Sequence, residues 1–176
     1  RDGSTGSLLA EYNGTNVEAK LSGITRGDGA SLVVDYKGTG VSGGGNAKIT
    51  IAGAVTNAVG IWQPWACFGG YYINSWTPSS PSHVTVDADG TLKPFTNYVA
   101  FPTSGATGNS LYEMTTSSLT MTDAQEVYAL LMRRNGTAVL DLASYDLRVA
   151  GGSLGFSTAG DKTIRSSGGG RLVFGS

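Results

Sequence analysis

Seven charged residues in the last third of the chain are the ones whose types and spacing could do chemistry. They flank short apolar segments, and they are Asp141, Asp146, Arg148, Asp161, Lys162, Arg165 and Arg171. Acids, or acids beside basic residues, perform the proton transfers of polysaccharide hydrolases and lyases when they gather on one outward face. The same residue types at the corners of a repetitive fold keep it soluble. We predict this second role, and therefore no catalytic residue and no enzyme activity.

Metal and nucleophile chemistry find little support in the sequence. His83 is the single histidine, which excludes a histidine-based triad or a two-histidine metal site within one chain; we interpret it as a partly exposed residue at a strand start. The run Asp87-Ala88-Asp89-Gly90 begins like a calcium loop, but the glutamate expected near its twelfth position is missing. The same residues are also typical of an antiparallel hairpin with its turn at Asp89-Gly90. We predict no metal and no cofactor.

A cluster of aromatic residues is the best candidate for recognition. It consists of Trp62, Trp65, Tyr71, Tyr72 and Trp76. Flat apolar rings can form a platform on which sugar rings stack, so glycans are one candidate partner. The alternative, which we favour, is that these rings form the core of their own segment.

The elements that must position these residues recur along the end of the chain. Short apolar pairs return from residue 140 onward, at Leu140/Leu142, Leu147/Val149, Leu154/Phe156, Ile164 and Leu172/Phe174. The step from Leu140 to Ile164 is about 24 residues and that from Leu147 to Leu172 about 25, which is typical of a β-solenoid. We predict that Leu147, Leu154, Ile164 and Leu172 point inward and stack as ladders.

The rest of the chain is predicted to continue this all-β architecture as one domain, residues 1–176. Strands are expected over residues 7–12, 21–25, 30–36, 48–51 and 127–132. Residues 61–101 form an aromatic-rich excursion, or side lobe, and residues 102–126 are mostly loop. The composition agrees, because 27 glycines and only 14% charged residues favour tight turns and short strands.

Charge and hydropathy exclude two further classes of function. The net charge is −1 with no basic run, so we predict no nucleic-acid partner. No apolar stretch approaches the length that a membrane-spanning helix needs, so we predict no membrane insertion of this segment. The chain starts at Arg1 and shows no signal peptide, which we interpret as processing or as a piece of a larger chain.

Three segments resemble the bacterial autotransporter-type, β-strand-repeat surface proteins. They are residues 21–36, residues 59–67 and residues 138–154, and the resemblance extends over most of the chain from Leu21 onward. The chain departs from the family pattern at Gln63-Pro64, where the family has two glycines. The resemblance implies a right-handed parallel β-helix, export to the outside of the cell and no known chemistry.

The sequence thus predicts a non-enzymatic, extracellular structural or adhesive module of a bacterial cell surface. The last strand, Leu172, Val173 and Phe174, is expected to carry an unpaired edge that pairs with further coils of the parent chain or with the N-terminal strand of another copy, around Leu8 and Leu9. Val173→Pro would remove a donor from that edge. Head-to-tail stacking of copies would make a filament, which is the first alternative function. A carbohydrate-binding or polysaccharide-active β-helix domain is the second.

Overall fold

The structure is a computed structural model, and it describes residues 5–11, 17–26, 30–37, 47–69, 82–156 and 160–175. These residues form fifteen strands and no helix, so the all-β prediction is confirmed. Consequently the described part of the chain contains no helix that could cross a membrane. The chain divides into two compact units, Arg1–Thr96 and Asn97–Ser176. The single-domain assignment and the excursion at residues 61–101 stay predictions.

The N-terminal unit contains seven of the strands. They are β1 (Thr5–Glu11), β2 (Val17–Leu21), β3 (Ser31–Lys37), β4 (Ala47–Ile51), β5 (Ala66–Phe68), β6 (Ser82–Val86) and β7 (Leu92–Pro94). One sheet has the order β1-β3-β5-β6-β7, and β2 pairs with β4 in a second sheet. Pairing is parallel from β1 to β5 and antiparallel from β5 to β7. The apolar core between the strands includes Val34, Ile49, Val84 and Leu92, all at most 1% exposed.

The predicted hairpin at Asp89-Gly90 is confirmed. β6 and β7 pair antiparallel, and the Asp87 N–H donates to the Thr91 carbonyl oxygen at 2.9 Å. Gly90 has a φ of 83°, and a Cβ there would lie 2.7 Å from the Ile51 carbonyl oxygen. Glycine is therefore required both by the left-handed backbone and by the close approach of β4.

The C-terminal unit contains the other eight strands. They are β8 (Val99–Ala100), β9 (Leu111–Met114), β10 (Ser118–Thr120), β11 (Gln125–Met132), β12 (Ala138–Asp141), β13 (Leu147–Phe156), β14 (Lys162–Arg165) and β15 (Leu172–Phe174). They belong to two sheets, with orders β15-β13-β11-β9-β8 and β10-β12-β14, and from β9 onward they alternate between them. Every pairing in both sheets is parallel.

The register of these pairs confirms the two steps predicted from the sequence. Leu140 is paired with Ile164, and Leu147 with Leu172, as those steps require. Leu154 is paired with Leu130, so the four predicted core residues belong to three ladders. All of them pack in one cluster in which Leu130, Leu140 and Leu147 are 0% exposed.

An irregularity in β13 shows why glycine recurs within a strand. The register between β11 and β13 shifts at Tyr128, where three residues of β13, Ala150 to Gly152, stand opposite one residue of β11. A Cβ on Gly151 would lie 2.5 Å from the Tyr128 ring and 2.6 Å from its carbonyl oxygen. Because the Tyr128 ring and backbone fill that space, only glycine fits there.

The structure refines one local prediction and corrects two. Residues 102–126 are mostly loop, as predicted, but they also contain the short strands β9 and β10 and the start of β11. The strand expected at residues 21–25 lies earlier, at Val17–Leu21. His83 is 5% exposed rather than partly exposed, because β5 and β7 flank β6 on both sides.

Candidate functional site

Asp141 ties successive strands together at a corner of the C-terminal unit. Its Oδ1 accepts hydrogen bonds from the N–H groups of Ala143 and Ser167 at 2.9 and 3.0 Å and from the Ser167 hydroxyl at 3.0 Å. Its Oδ2 accepts from Arg165 Nε at 3.0 Å. These backbone donors, together with the nearby guanidinium, lower the pKa of Asp141 below its usual value. A carboxylate occupied in this way is a structural tie.

Asp146 and Arg171 make a second tie one corner away. Arg171 donates from its backbone N–H and its Nε to Asp146 Oδ1 at 3.0 and 3.2 Å, and from a terminal nitrogen to Oδ2 at 2.6 Å. The side-chain hydrogen bond from Arg171 is the main reason that the pKa of Asp146 is lowered. Lys162 acts similarly between turns, since its Nζ donates to the carbonyl oxygens of Gly136 and Gly160 at 3.0 and 2.9 Å. Asp161 is exposed and contributes a backbone carbonyl to Ala138.

Beside the second tie lies an open cleft of about 530 Å³. It is lined by Ala106, Ala124, Gln125, Glu126, Asp146, Arg148, Arg171 and Val173. Three of the seven charged residues singled out in the sequence therefore meet at one place, together with Glu126, which sequence reasoning missed. The strand register identifies Glu126 as a cleft residue, because Glu126 is paired with Arg148, and Arg148 with Val173. We call this the charged cleft.

Gln125 fixes one wall of the charged cleft. It is paired with Leu147, which is in turn paired with Leu172, so it occupies an inward position that holds leucine in the next two strands. Its side-chain amide donates to the carbonyl oxygens of Pro102 and Thr103 at 3.3 and 3.0 Å, and its Oε1 accepts the Ala106 N–H at 3.1 Å. A buried amide with these bonds holds the 102–106 segment against the sheet.

The predicted assembly edge lies on the outermost strand of its sheet. β15 pairs with β13 on one side, and no described strand lies on its other side. Leu172 is half-buried against the core cluster, Val173 is half-buried, and Phe174 is 53% exposed. Phe156, at the end of β13 and beyond the reach of β15, is 43% exposed.

The backbone hydrogen bonds of β15 show which of its residues face the free edge. The Leu147 N–H donates to the Arg171 carbonyl oxygen, and the Gly175 N–H donates to the Val149 carbonyl oxygen. Parallel strands direct alternate residues to alternate sides, so Val173 shares this direction and bonds to β13. The outward donors belong to Leu172 and Phe174. Val173→Pro would therefore damage the pairing within the unit, and the expectation that it probes the free edge is wrong.

The other predicted edge residues lie on β1. This strand is also outermost in its sheet, paired in parallel with β3. Leu8 is half-buried against the N-terminal core, and Leu9 is paired with Asp35. The role of both residues in assembly stays a prediction.

Two of the aromatic candidates lie in or against the N-terminal core. Trp62 is 8% exposed and belongs to the core, with its ring centroid 5.8 Å from that of Trp65. Trp65 is half-buried, and the Arg26 guanidinium lies 5.5 Å from its ring centroid. Both rings belong to an apolar cluster that also contains Leu32 and Ile49, so this core is shared with the rest of the N-terminal unit and is not confined to their own segment. Tyr71, Tyr72 and Trp76 lie outside the described residues.

Within the described residues, no three His, Cys, Asp or Glu side chains are grouped so as to hold a metal ion. Asp87 is ion-paired with Lys93, and Asp89 Oδ1 accepts the Thr91 N–H at 3.0 Å, so the hairpin itself uses both acids.

Comparison of the chain with protein-family models, with curated proteins and with solved structures finds no match.

Proposed function

We propose that this chain is a non-enzymatic structural or adhesive module whose C-terminal unit is a right-handed β-solenoid, displayed outside a bacterial cell. The observation that carries the proposal is the repeated parallel register of that unit. Strands of successive repeats pair in order, and each sheet receives one strand from each repeat. A chain that alternates between two parallel sheets in this way is what a stack of coils requires.

The side chains support a mechanical role. Apolar residues fill the interior as ladders, and the charged residues at the corners form ties between successive repeats, as in Asp141–Arg165 and Asp146–Arg171. Carboxylates held by backbone donors and guanidinium groups are poorly suited to proton transfer, because their pKa values are lowered away from neutrality. Stacking therefore accounts for most of the residues that first suggested catalysis.

Location is tested on intact cells. Antibodies against this chain, detected by immunogold electron microscopy, should label the cell envelope or material attached to it. Label confined to the cell interior would contradict the proposal.

A filament subunit is the second candidate, and the exposed edge of β15 favours it. An edge strand with free backbone donors and an apolar ring can accept a parallel strand from another copy. We expect the chain to form larger species with rising concentration in sedimentation velocity runs, and Phe174→Pro to reduce them, since it removes both an outward N–H and the ring.

The matched control is Val55→Ser, because Val55 is 74% exposed but lies outside any strand. Equal reduction by both variants would indicate unspecific apolar association. A chain that stays monomeric at all concentrations would contradict the filament hypothesis but not the hypothesis of a structural module.

A further inference from the structure

The charged cleft contains polar groups that the stacking of the unit does not use. Asp146 and Arg171 satisfy each other. In contrast, Arg148 and Glu126 are exposed, and among the described residues neither side chain has a hydrogen-bond or ion-pair partner, although the two residues are neighbours in the register. Two such side chains on one wall of a cleft are available to a ligand.

The chemistry of these groups defines half of that ligand. A guanidinium presents a planar fork of donors that matches a carboxylate in a bidentate manner, and it stays charged at all physiological pH values. The carboxylate of Glu126 accepts hydrogen bonds and suits hydroxyl donors nearby. The ligand should therefore carry a carboxylate together with hydroxyl groups.

The spacing of the cleft residues indicates the repeat length of the ligand. Its outward residues form two rows that cross the strands. Glu126–Arg148–Val173 are paired in the register of β11, β13 and β15, and Ala124–Asp146–Arg171 directly precede the first paired residues of these strands. Neighbouring rungs of such rows are about 4.8 Å apart, which is close to the length of one pyranose ring and longer than one residue of an extended peptide. Ala106, Ala124 and Val173 supply small apolar surfaces for the C–H face of a ring.

The cleft is also held in shape without a ligand. Gln125 fastens the 102–106 segment that forms one wall. A wall fixed by such hydrogen bonds reduces the ordering cost of binding. Gly108 leaves room for the Glu126 carboxylate beside this wall, since a Cβ at residue 108 would overlap it.

We propose that the charged cleft binds an acidic polysaccharide chain of the uronic acid type, with Arg148 on a sugar carboxylate and Glu126 on its hydroxyl groups. This binding site is separate from the stacking role, since it needs no occupant on the edge of β15.

Isothermal titration of the full chain with a galacturonic acid hexamer, and with the same hexamer fully methyl-esterified, tests the proposal. The acidic hexamer should bind at least about tenfold more tightly than the ester, because only it offers a carboxylate to the guanidinium. Arg148→Gln should lose about tenfold in affinity for the acidic hexamer, and Arg148→Lys should lose less, because it keeps the charge without the fork.

Lys20→Gln is the matched control, since it removes one positive charge at an exposed residue outside the cleft. It should change the affinity by less than about twofold at physiological salt. Circular dichroism and the thermal midpoint show whether each variant keeps the fold. If Arg148→Gln does not fold, the comparison of Arg148→Lys with the parent chain still tests the proposal.

Three results would overturn the proposal. They are equal affinity for the acid and the ester, including no binding of either; equal loss in Lys20→Gln and Arg148→Gln; and binding of a glutamate-rich peptide as tight as that of the acidic hexamer, which would make the cleft a peptide site.

Discussion

The two units build sheets from similar strands but end them differently. In the N-terminal unit the parallel run β1-β3-β5 is followed by the antiparallel strands β6 and β7, so a hairpin covers the edge of β5. In the C-terminal unit the parallel run ends at β15, and the described residues provide no strand beyond it. The parallel run of the N-terminal unit is therefore bounded at β5 by a hairpin, whereas β15 has an open edge among the described residues. The contrast concerns one end of each sheet, since β1 and β8 are the outermost strands at the other ends.

The two units also differ in the side-chain interactions that connect their strands. The N-terminal core includes Trp62, and its hairpin is tied by an ion pair between Lys93 on β7 and Asp87, the residue that directly follows β6. The C-terminal core combines aliphatic ladders with the buried rings of Phe101 and Tyr112, and its corner ties connect residues that belong to successive repeats. Changes in the ladders should therefore affect several repeats at once.

The largest effect is expected from Leu147→Asp. Leu147 is 0% exposed and paired with Leu172, so an aspartate there would lose apolar burial and bury an unpaired charge. We expect a loss of more than about 4 kcal/mol in the free energy of unfolding. Urea denaturation followed by circular dichroism measures it, with Thr163→Asp on the exposed face of β14 as the control. Equal stability of the two variants would show that the ladder register is wrong.

Gly170→Ala should have the next largest effect. A Cβ on Gly170 would collide with the Tyr145 carbonyl oxygen of the preceding repeat, which is backbone and moves little. We expect a cost of about 1–3 kcal/mol. Gly23→Ala in the N-terminal unit is the control, because nothing lies within 4 Å of its added Cβ. If both variants unfolded at the same urea concentration, the repeats would not be in the close contact described.

The corner ties predict a dependence of stability on pH. Backbone and side-chain hydrogen bonds lower the pKa of both Asp141 and Asp146 in the folded state. Since a lowered pKa favours the ionised carboxylate in the folded chain, the stabilisation is present above about pH 4 and lost as the pH falls through the folded pKa values. The double variant Asp141→Asn/Asp146→Asn should have a lower thermal midpoint at pH 7.

The same double variant should lose less than the parent chain between pH 7 and pH 3, as scanning calorimetry would show. Asp161→Asn, which changes an exposed acid outside the two ties, is the control variant. A double variant whose profile parallels that of the parent chain would mean that the ties do not contribute.

The smallest effect is expected from a chelator. Asp87 and Asp89 are used within the hairpin of the N-terminal unit, so EDTA should leave the thermal midpoint of the chain unchanged. A fall of many degrees would instead indicate that these acids hold calcium.

The sequence predicted the ladders because each inward position in the last repeats holds a large apolar residue at a regular step, as Leu140 and Ile164 do. It failed where a polar residue occupies such a position. Gln125 stands in the ladder of Leu147 and Leu172, so the apolar repeat cannot be followed back from Leu147 into β11. Glu126 was missed as a cleft residue because its neighbour Arg148 is identified only when the strand register is known. His83 was misjudged because its burial depends on pairing with β5, a strand that lies well before it in the chain.

The central claim is that the C-terminal unit is a stack of parallel repeats, and nuclear Overhauser contacts in the labelled full chain test it most directly. The account predicts methyl contacts between Leu140 and Ile164 and between Leu147 and Leu172, because each pair is adjacent in a parallel register. Absence of these contacts, together with Hα–Hα contacts between β13 and β14 as in an antiparallel hairpin, would contradict it.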